Sequence, residues 1–221
     1  MRKIGIIIIF SLLATVVRAQ QPTQTRKFHD EESATILKEL QKKIAAYKDI
    51  SMSFTLRTEK KEKFIDEIKG TTLIKNDKYV LKTEQQQLFC DGNTLWNYLP
   101  EQKEVTVSKY DKEDDSQMMN PLKMIQEYEK LYKSNFVKET IEKNIVIQII
   151  DLTPLKQSPY YKIRLILDKN KKQIQQLTAH EKDGTQYTYI IDKFVVNQNL
   201  ADGQFVFDFS KYSGVEVIDI R

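Results

Sequence analysis

The sequence predicts a mainly β fold of the α+β class, in which two principal helices accompany a curved antiparallel sheet of about ten or eleven strands. Apolar and polar residues alternate over most of the chain, short turn motifs separate the alternating segments, and only two segments have the period of a helix. Strands joined by such short turns pair antiparallel, because parallel neighbours need long crossovers. A meander of this size tends to curl into a barrel or half-barrel.

The first 29 residues are expected to lie outside the folded domain. Residues 1–19 combine a basic start, an apolar stretch and small residues before Ala19, which is typical of a secretory signal peptide cleaved after about Ala19. A retained N-terminal anchor is the alternative interpretation. Residues 20–29 are polar and are expected to be flexible, and residues 30–221 are expected to form a single domain.

The charge balance argues against a nucleic-acid partner. Cleavage after Ala19 removes three basic residues and leaves 32 basic against 31 acidic side chains, so the net charge falls from +4 to about +1. Lysines alternate with acidic residues, as in residues 59–63, which is typical of a solvated surface. A nucleic-acid interface needs a patch of one sign.

The first helix is predicted from Asp30, where Asp30 or Ser33 can serve as the N-cap. Its apolar stripe has spacings of three and four and consists of Ile36, Leu37, Leu40, Ile44 and Tyr47. After Asp49 the period becomes two, which predicts a strand with one buried face, formed by Ile50, Met52, Phe54 and Leu56.

Turn motifs then divide the chain into hairpins. Asn76-Asp77, Asp91-Gly92 and Asp183-Gly184 each separate two alternating segments, and looser turns are predicted at residues 100–103 and 169–171. Asx-Gly pairs supply the positive φ angles of hairpin turns.

One helical insertion interrupts the strands. Asn120-Pro121 is a good helix start, with Asn as the cap and Pro in the first turn. An apolar stripe follows at Leu122, Ile125, Tyr128 and Leu131.

The inventory of reactive side chains does not predict an enzyme. The two histidines, His29 and His180, lack the spacing of a zinc site, and no nucleophile elbow is present. The single cysteine, Cys90, lies in an apolar strand and is expected to be a buried thiol. No phosphate-binding glycine loop is found, so no cofactor or metal is expected. An exported hydrolase using a carboxylate, such as Asp114-Asp115, or a histidine remains an alternative.

Several strands are more apolar than a half-buried strand needs. Residues 145–150, 160–167 and 187–191 are partly apolar on both faces. Either helices and neighbouring strands cover both faces, or the sheet encloses an incompletely filled apolar site for a ligand. The pattern alone favours the first interpretation.

A family resemblance favours the second. Residues 89–100, Phe-Cys-Asp-Gly-Asn-Thr-Leu-Trp-Asn-Tyr-Leu-Pro, resemble the D-G-x-x-L-W-x-Y-x-P signature of the outer-membrane lipoprotein carrier family, LolA-like. Further matches follow the order of that family: an N-terminal amphipathic helix before residues 51–55, Gly70 before a strand, Asn120-Pro121-Leu122, residues 205–207 and residues 214–219.

The resemblance implies an incomplete barrel with helices over its open side, forming a hydrophobic cavity for lipoprotein acyl chains. Such proteins carry acylated lipoproteins through the periplasm, from an inner-membrane ABC-type release complex to an outer-membrane acceptor. It implies no enzyme activity and no cofactor, a monomer, and only transient membrane contact. The alternative on the same fold is a periplasmic sensor or regulator that binds lipoproteins as signals.

Candidate site residues follow from the resemblance and from the strand and helix patterns. The expected acyl-chain cavity contains Phe54, Trp96, Tyr98, Met118, Met119, Leu122, Ile125 and Leu131. In the better-known branch of the family an Arg tethers the lid helices; Asn76, flanked by Lys75, stands at that position, so these two are the latch candidates. Tyr79 and Val80 are the candidates for a partner docking patch.

Overall fold

The computed structural model describes residues 30–111 and 121–221, so the expected signal peptide, the segment 20–29, His29, Asp114-Asp115, Met118 and Met119 lie outside the described residues. Its strands are β1 Ile50–Lys60, β2 Lys63–Lys75, β3 Lys78–Thr83, β4 Gln87–Cys90, β5 Thr94–Leu99, β6 Glu104–Lys109, β7 Tyr132–Glu142, β8 Ile145–Pro154, β9 Tyr160–Asp168, β10 Gln173–Glu181, β11 Thr185–Val196 and β12 Glu216–Asp219.

All of these strands belong to one sheet, in the order β12-β6-β5-β4-β3-β2-β1-β11-β10-β9-β8-β7. The edge strands β7 and β12 do not pair with each other, so the sheet is open, as the prediction of an incomplete barrel requires. The pairing is antiparallel except between β6 and the short C-terminal β12, which run parallel. The mainly β fold class is confirmed.

The described part of the chain contains more strands than the pattern indicated. The sequence patterns did not predict the hairpin turn at Lys61 and Glu62, within the charged residues 59–63. These two residues adopt positive φ angles of 50° and 65° although neither is a glycine. The turn lengthens the predicted strand at Gly70 into β2. The motifs at Asp91-Gly92 and Asp183-Gly184 do form turns, with φ of 95° and 88° at their glycines.

The described helices are α1 Glu31–Ala45, α2 Pro121–Gln126 and α3 Tyr128–Leu131, and two 3₁₀ turns lie at Asp202–Phe205 and Phe209–Lys211. The second helix, predicted to run unbroken to Leu131, is interrupted at Glu127. The backbone there has φ −110° and ψ 7°, outside the α-helical region. An apolar stripe does not reveal such a break.

The two faces of the sheet have separate cores. Neighbouring residues of β2 show this: Ile74 packs against the helices, whereas Leu73 packs on the other side. The helical face is covered by α1, α2 and α3, and its buried residues include Leu37, Leu40, Ile44, Ile50, Met52, Phe54, Leu122, Ile125, Tyr128, Ile150, Leu165, Leu177 and Tyr189. We call the other side the C-terminal face, because residues 200–215 contribute Phe205 and Phe207 to its core.

Asp30 is the N-cap of α1, as the sequence predicts, and it also joins the helix to β7. Its carboxylate accepts hydrogen bonds from the Ser33 N–H (2.8 Å), the Ser33 hydroxyl (2.9 Å) and the Phe136 N–H (2.6 Å). Burial acts to raise the pKa of Asp30, but the hydrogen bonds from Ser33 and Phe136 outweigh it, so the pKa is lowered. The ionised carboxylate therefore stabilises the folded state.

We expect Asp30→Ala to reduce the free energy of unfolding by about 2 kcal/mol at neutral pH, the upper range for loss of an N-cap. Because the folded-state pKa is lowered, the contribution of Asp30 is complete above its unfolded pKa of about 4 and disappears as the pH falls through the folded value. Urea denaturation between about pH 2 and pH 7 should show the two proteins converging in acid. Asp30→Asn keeps a capping oxygen and should fall between them.

Gly70 is required by a close approach between strands. A Cβ atom at this position would overlap the ring of Phe54 and would lie 2.8 Å from the Lys82 carbonyl oxygen. The Phe54 ring occupies the space above the glycine and stacks on Tyr189 with ring centroids 4.5 Å apart. The close packing of Phe54 thus depends on the missing side chain.

We expect Gly70→Ala to destabilise the protein by about 2 kcal/mol, because overpacking a closed site forces neighbouring side chains or backbone to move. Thermal unfolding of the purified protein measures the loss. Gly203→Ala is the matched control, since nothing lies within 4 Å of a Cβ added there. Equal stability of the two variants would show that the Phe54 site can relax at no cost.

Candidate functional site

A cleft of about 430 Å³ opens on the helical face, between the end of α1, helix α2 and the adjoining ends of β1, β2 and β3. Its apolar and aromatic wall is formed by Ile44, Tyr47, Ile50, Ile74, Tyr79, Tyr110 and Leu122. Its polar rim is formed by Lys48, Asp49, Asn76, Asp77, Lys78, Gln126 and Glu127. The volume lies within the range of small-ligand pockets, roughly 300–1,000 Å³. The larger part of the exposed lining is polar and the smaller part is apolar, a combination that suits an amphiphilic ligand.

The apolar wall is continuous with the core of the helical face. Ile44 is the last member of the buried stripe of α1, and Ile50 begins the buried alternation of β1. Leu122 comes from α2 and closes the cleft on its third side. The same periodicities that build the core therefore also supply the apolar lining of the cleft.

Helix α2 is held over the cleft by one side chain of α1. The Gln41 side-chain amide donates hydrogen bonds to the carbonyl oxygens of Ile125 (3.0 Å) and Gln126 (3.1 Å), at the C-terminal end of α2. These are carbonyls that a helix end leaves without intrahelical partners. Lys38 of α1 also approaches Glu129 of α3, at 3.9 Å and in exposed surroundings. Sequence reasoning missed Gln41, because a glutamine on the polar side of a helix carries no distinguishing signal.

Asp49 connects the polar rim to the C-terminal segment. It is buried, and its carboxylate accepts hydrogen bonds from the N–H groups of Gln198 (2.8 Å) and Leu200 (3.1 Å). Burial acts to raise the pKa of Asp49, but the N–H groups of Gln198, Leu200 and Asn199, together with Lys75, lower it below its usual value. The carboxylate is therefore ionised at neutral pH and fixes the chain after β11 beside the cleft.

Of the two docking candidates, Tyr79 lines the cleft and Val80 is buried on the other side of the sheet. Burial raises the pKa of Tyr79 well above its usual value, so its hydroxyl stays neutral, and its ring meets Tyr110 edge-on at 5.9 Å between centroids. Val80 is only 2% exposed and belongs to the core of the C-terminal face. The prediction that Val80 belongs to an exposed docking patch is therefore wrong, because alternation along β3 places its side chain in the core of the C-terminal face.

The structure brings three of the expected cavity residues together on the helical face. Leu122 lines the cleft, Ile125 is a residue of α2 with no exposed surface, and Phe54 packs against Tyr189 deeper in the core. Leu131 ends α3 and is only partly buried, outside the buried core of the helical face. Met118 and Met119 lie outside the described residues, so their place in the cavity stays a prediction from the sequence.

Trp96 and Tyr98 are not part of this group. Both belong to the core of the C-terminal face, where Tyr98 lies 5.5 Å from Phe207 and 4.7 Å from Tyr212 between ring centroids. The prediction that Trp96 and Tyr98 line the same cavity as Leu122 is therefore wrong. The sequence shows that the two share one face of β5, which the structure bears out, but residues 200–215 cover that face instead of the helices.

The two latch candidates point in different directions. Lys75 donates hydrogen bonds to the Leu200 carbonyl oxygen (2.7 Å) and the Asp202 carboxylate (2.8 Å), so it fastens the C-terminal segment and not the helices. Asn76 adopts a φ of 54° in the turn after β2 and lines the rim of the cleft. The hydrogen bonds that hold a helix over the cleft come from Gln41 instead.

A second, smaller cleft of about 340 Å³ lies where the other flank of α1 meets β8 and β9. Its lining is apolar at Ile36, Leu40 and Leu167 and polar at its rim, where Lys172 pairs with Glu39 at 3.0 Å. Helix α1 thus has a cleft on each side.

Among the described residues, neither His180 nor Cys90 lines either cleft. His180 lies next to Ala179, which belongs to the helical-face core, so its side chain is on the C-terminal face. Burial lowers the pKa of His180, and the positive charges of Lys162 and Arg164 lower it further. Within residues 30–111 and 121–221 there is no group of three His, Cys, Asp or Glu residues suited to a metal ion. In the same residues no helix combines the length and apolar character of a membrane span.

One solved structure shares this architecture with a TM-score above 0.5. An uncharacterized conserved protein from Thermus thermophilus has a TM-score of 0.58 at 10% identity, covering 85% of this chain and 99% of its own. A DUF1329 family protein from Desulfovibrio piger gives 0.48 at 12% identity, covering 82% and 98%. A LolA superfamily protein from Nitrosomonas europaea gives 0.45 at 12% identity, covering 80% and 98%. No curated protein sequence matches the chain.

The protein is a mainly β protein with an open sheet and a helix-covered cleft on one face. The sequence model of the family described as outer membrane lipoprotein carrier protein LolA matches residues 45–208, which is most of the chain. The protein therefore belongs to the LolA family, as its sequence motifs suggest.

Proposed function

We propose that this protein is a periplasmic lipoprotein carrier that shelters acyl chains in the cleft beneath α2 and shuttles lipoproteins from the inner to the outer membrane. The observation that carries the proposal is the 430 Å³ cleft, whose apolar wall is continuous with the core and whose cover is a six-residue helix. Membership of the LolA family supports the same role. The carrier acts without catalysis and without a cofactor.

The energetics of acyl transfer explain why such a site is needed. Each CH₂ group moved from water into an apolar environment gains about 0.8 kcal/mol, so a multiply acylated protein does not leave a bilayer unaided at a useful rate. The apolar wall around Ile44, Ile74 and Leu122 offers a replacement for the bilayer. The polar rim beside it keeps the backbone and head group of the cargo in water.

The proposed route has two partners. An inner-membrane ABC-type release complex loads the carrier, and an outer-membrane acceptor takes the cargo from it. Export to the periplasm through a signal peptide ending at about Ala19 belongs to the same proposal, and the mass of the mature protein recovered from an envelope extract tests it.

Binding to acyl peptides of increasing chain length tests the cleft. If the chain enters it, the dissociation constant should fall about fourfold for each added CH₂ group, since about 0.8 kcal/mol corresponds to that ratio, until the cleft is full. Isothermal titration of the purified chain with a series of N-acylated dipeptides gives these constants. An affinity that does not change with chain length would falsify acyl binding.

Transfer separates a carrier from a sensor, the alternative role for the same fold. A carrier should move a labelled lipoprotein from inner-membrane vesicles containing the release complex into the soluble fraction and then into outer-membrane vesicles. A sensor should bind the acyl peptides with the same chain-length dependence but leave the labelled lipoprotein in the donor vesicles.

Gln41 should control how readily the cleft opens. Gln41→Ala removes two hydrogen bonds to α2, each worth about 1 kcal/mol, so we expect an acyl peptide to dissociate up to about thirtyfold faster in stopped-flow measurements. Lys38→Ala is the matched control on the same helix, because the exposed Lys38–Glu129 ion pair contributes little. Equal rates for both variants would show that other contacts hold α2.

A further inference from the structure

The β2 strand has an open edge near the turn that precedes it. It pairs with β1 from Lys63 to Ile74, but its pairing with β3 covers only Gly70 to Lys75. Since β3 ends at Thr83, residues 63–69 extend beyond it, and no strand among residues 30–111 and 121–221 pairs with this side of them. Their outer backbone groups are available to another strand.

Large apolar side chains are exposed along this edge. Phe64 is 62% and Ile65 58% exposed. A β-bulge lies here, because Glu59 pairs with Phe64 and Thr58 with Asp66, which leaves Ile65 outside the register of the pair. Exposed apolar residues beside an unpaired strand edge promote the addition of another strand.

The edge is covered in part by its own side chain. The N–H of Glu67 donates a hydrogen bond to the Asp66 carboxylate at 2.8 Å, so this donor is bound to a side chain. A carbonyl oxygen from an added strand can take the place of the carboxylate on that N–H. The Asp66 carboxylate is then free to meet a positive charge.

The charges of the segment select the partner. The Glu67 carboxylate is compensated by Arg57 at 3.0 Å and Lys69 at 3.8 Å, whereas Asp66 forms no ion pair with any residue that the structure describes. Antiparallel pairing of two copies about Asp66 would oppose Asp66 to Asp66 and Lys63 to Lys69. Like charges in directly opposite positions destabilise a sheet, so a second copy of this chain is a poor occupant.

We propose that residues 63–69 bind an extended segment of a partner protein as an additional strand. The segment that fits has a basic residue opposite Asp66 and apolar side chains to either side, which pack on Phe64 and Ile65. The backbone edge supplies affinity, and Asp66 with the two exposed apolar residues supplies specificity. The proposal does not depend on the acyl-binding role of the cleft, which lies at the opposite end of β2.

A synthetic peptide, acetyl-Thr-Thr-Val-Lys-Val-Thr-Thr-amide, is the probe, because valines next to the lysine lie on the face of the added strand opposite to the lysine, which is the face of Phe64. Titrated into the isotopically labelled mature chain, it should shift the amide signals of residues 63–69 and slow their hydrogen exchange. Shifts that centre on another part of the sheet, or none up to millimolar peptide, would overturn the proposal. Self-association of the chain with the same protection pattern would assign the edge to a second copy and overturn it equally.

Variants of the edge itself decide whether the backbone and the charge act as stated. Glu67→Pro removes the N–H, and we expect the probe to bind at least about tenfold more weakly. Glu67→Gln is the matched control, because it loses the ion pair with Arg57 but keeps the N–H, and it should bind as the unchanged protein does. Equal affinity of the two variants would contradict strand addition.

A charge exchange gives a second test that does not need proline in the strand. Asp66→Lys should weaken the lysine-centred probe and strengthen the same peptide with a central glutamate. If Asp66→Lys changes the affinity of neither peptide, Asp66 does not face the added strand and the stated specificity is wrong.

Discussion

Leu122→Asp should weaken the binding of an acyl peptide by about a hundredfold, because it replaces an apolar wall of the cleft with a carboxylate. Burying a leucine side chain is worth about 1.5–3 kcal/mol, and a charge beside an acyl chain adds a desolvation cost. Leu122 is 5% exposed and lies on the short helix that covers the cleft. Titration with an N-acylated dipeptide of fixed chain length measures the loss.

Leu122→Met is the control, since a swap that conserves volume and polarity usually costs less than about 1.5 kcal/mol. It should retain most of the affinity, and circular dichroism should show both variants to be folded. If Leu122→Asp binds as well as the unchanged protein, the ligand does not occupy this cleft.

Phe207→Ala should destabilise the protein by about 3–5 kcal/mol, which is the usual cost of removing a buried aromatic side chain. Phe207 is 2% exposed and touches Phe89, Tyr98 and Tyr212 on the C-terminal face. The melting temperature should fall by roughly 10 °C for a chain of this length. Differential scanning calorimetry provides the measurement.

Phe209→Ala tests the same segment at an exposed position. Phe209 is 46% exposed and meets the edge of Phe207 at 5.0 Å, so its loss should cost about 1 kcal/mol or less. At temperatures where both variants are folded, acyl-peptide binding should be unchanged in both. A selective loss of acyl binding in Phe207→Ala would return Trp96 and Tyr98 to the ligand site.

The sequence predicted the fold class because its signals are local. The alternation from Ile50, the stripe of α1 and the turn at Asp183-Gly184 each follow from residues close together in the chain. The turn at Lys61 and Glu62 was missed because neither residue is a glycine and the surrounding charges look like any solvated surface. The parallel pairing of β12 with β6 depends on distant residues that no periodicity connects.

The candidate site was harder to predict because a strand pattern gives two faces without saying what covers each. Trp96 and Tyr98 were correctly placed on one face of β5, but their cover comes from residues 200–215, a segment with no regular pattern. Gln41 was missed for a related reason. Its partners are backbone carbonyls of α2, which any sequence at that point would provide.

The central pairing of the sheet also governs the order in which the chain can be completed. Strand β1 pairs with β2 on one edge and with β11 on the other, so its second edge stays unpaired until residues 185–196 have been synthesised. Contacts between such distant residues form late, since a long loop must close first. A newly made chain thus carries an unfinished strand edge for most of its synthesis, which makes protection from aggregation during biogenesis a requirement of this topology.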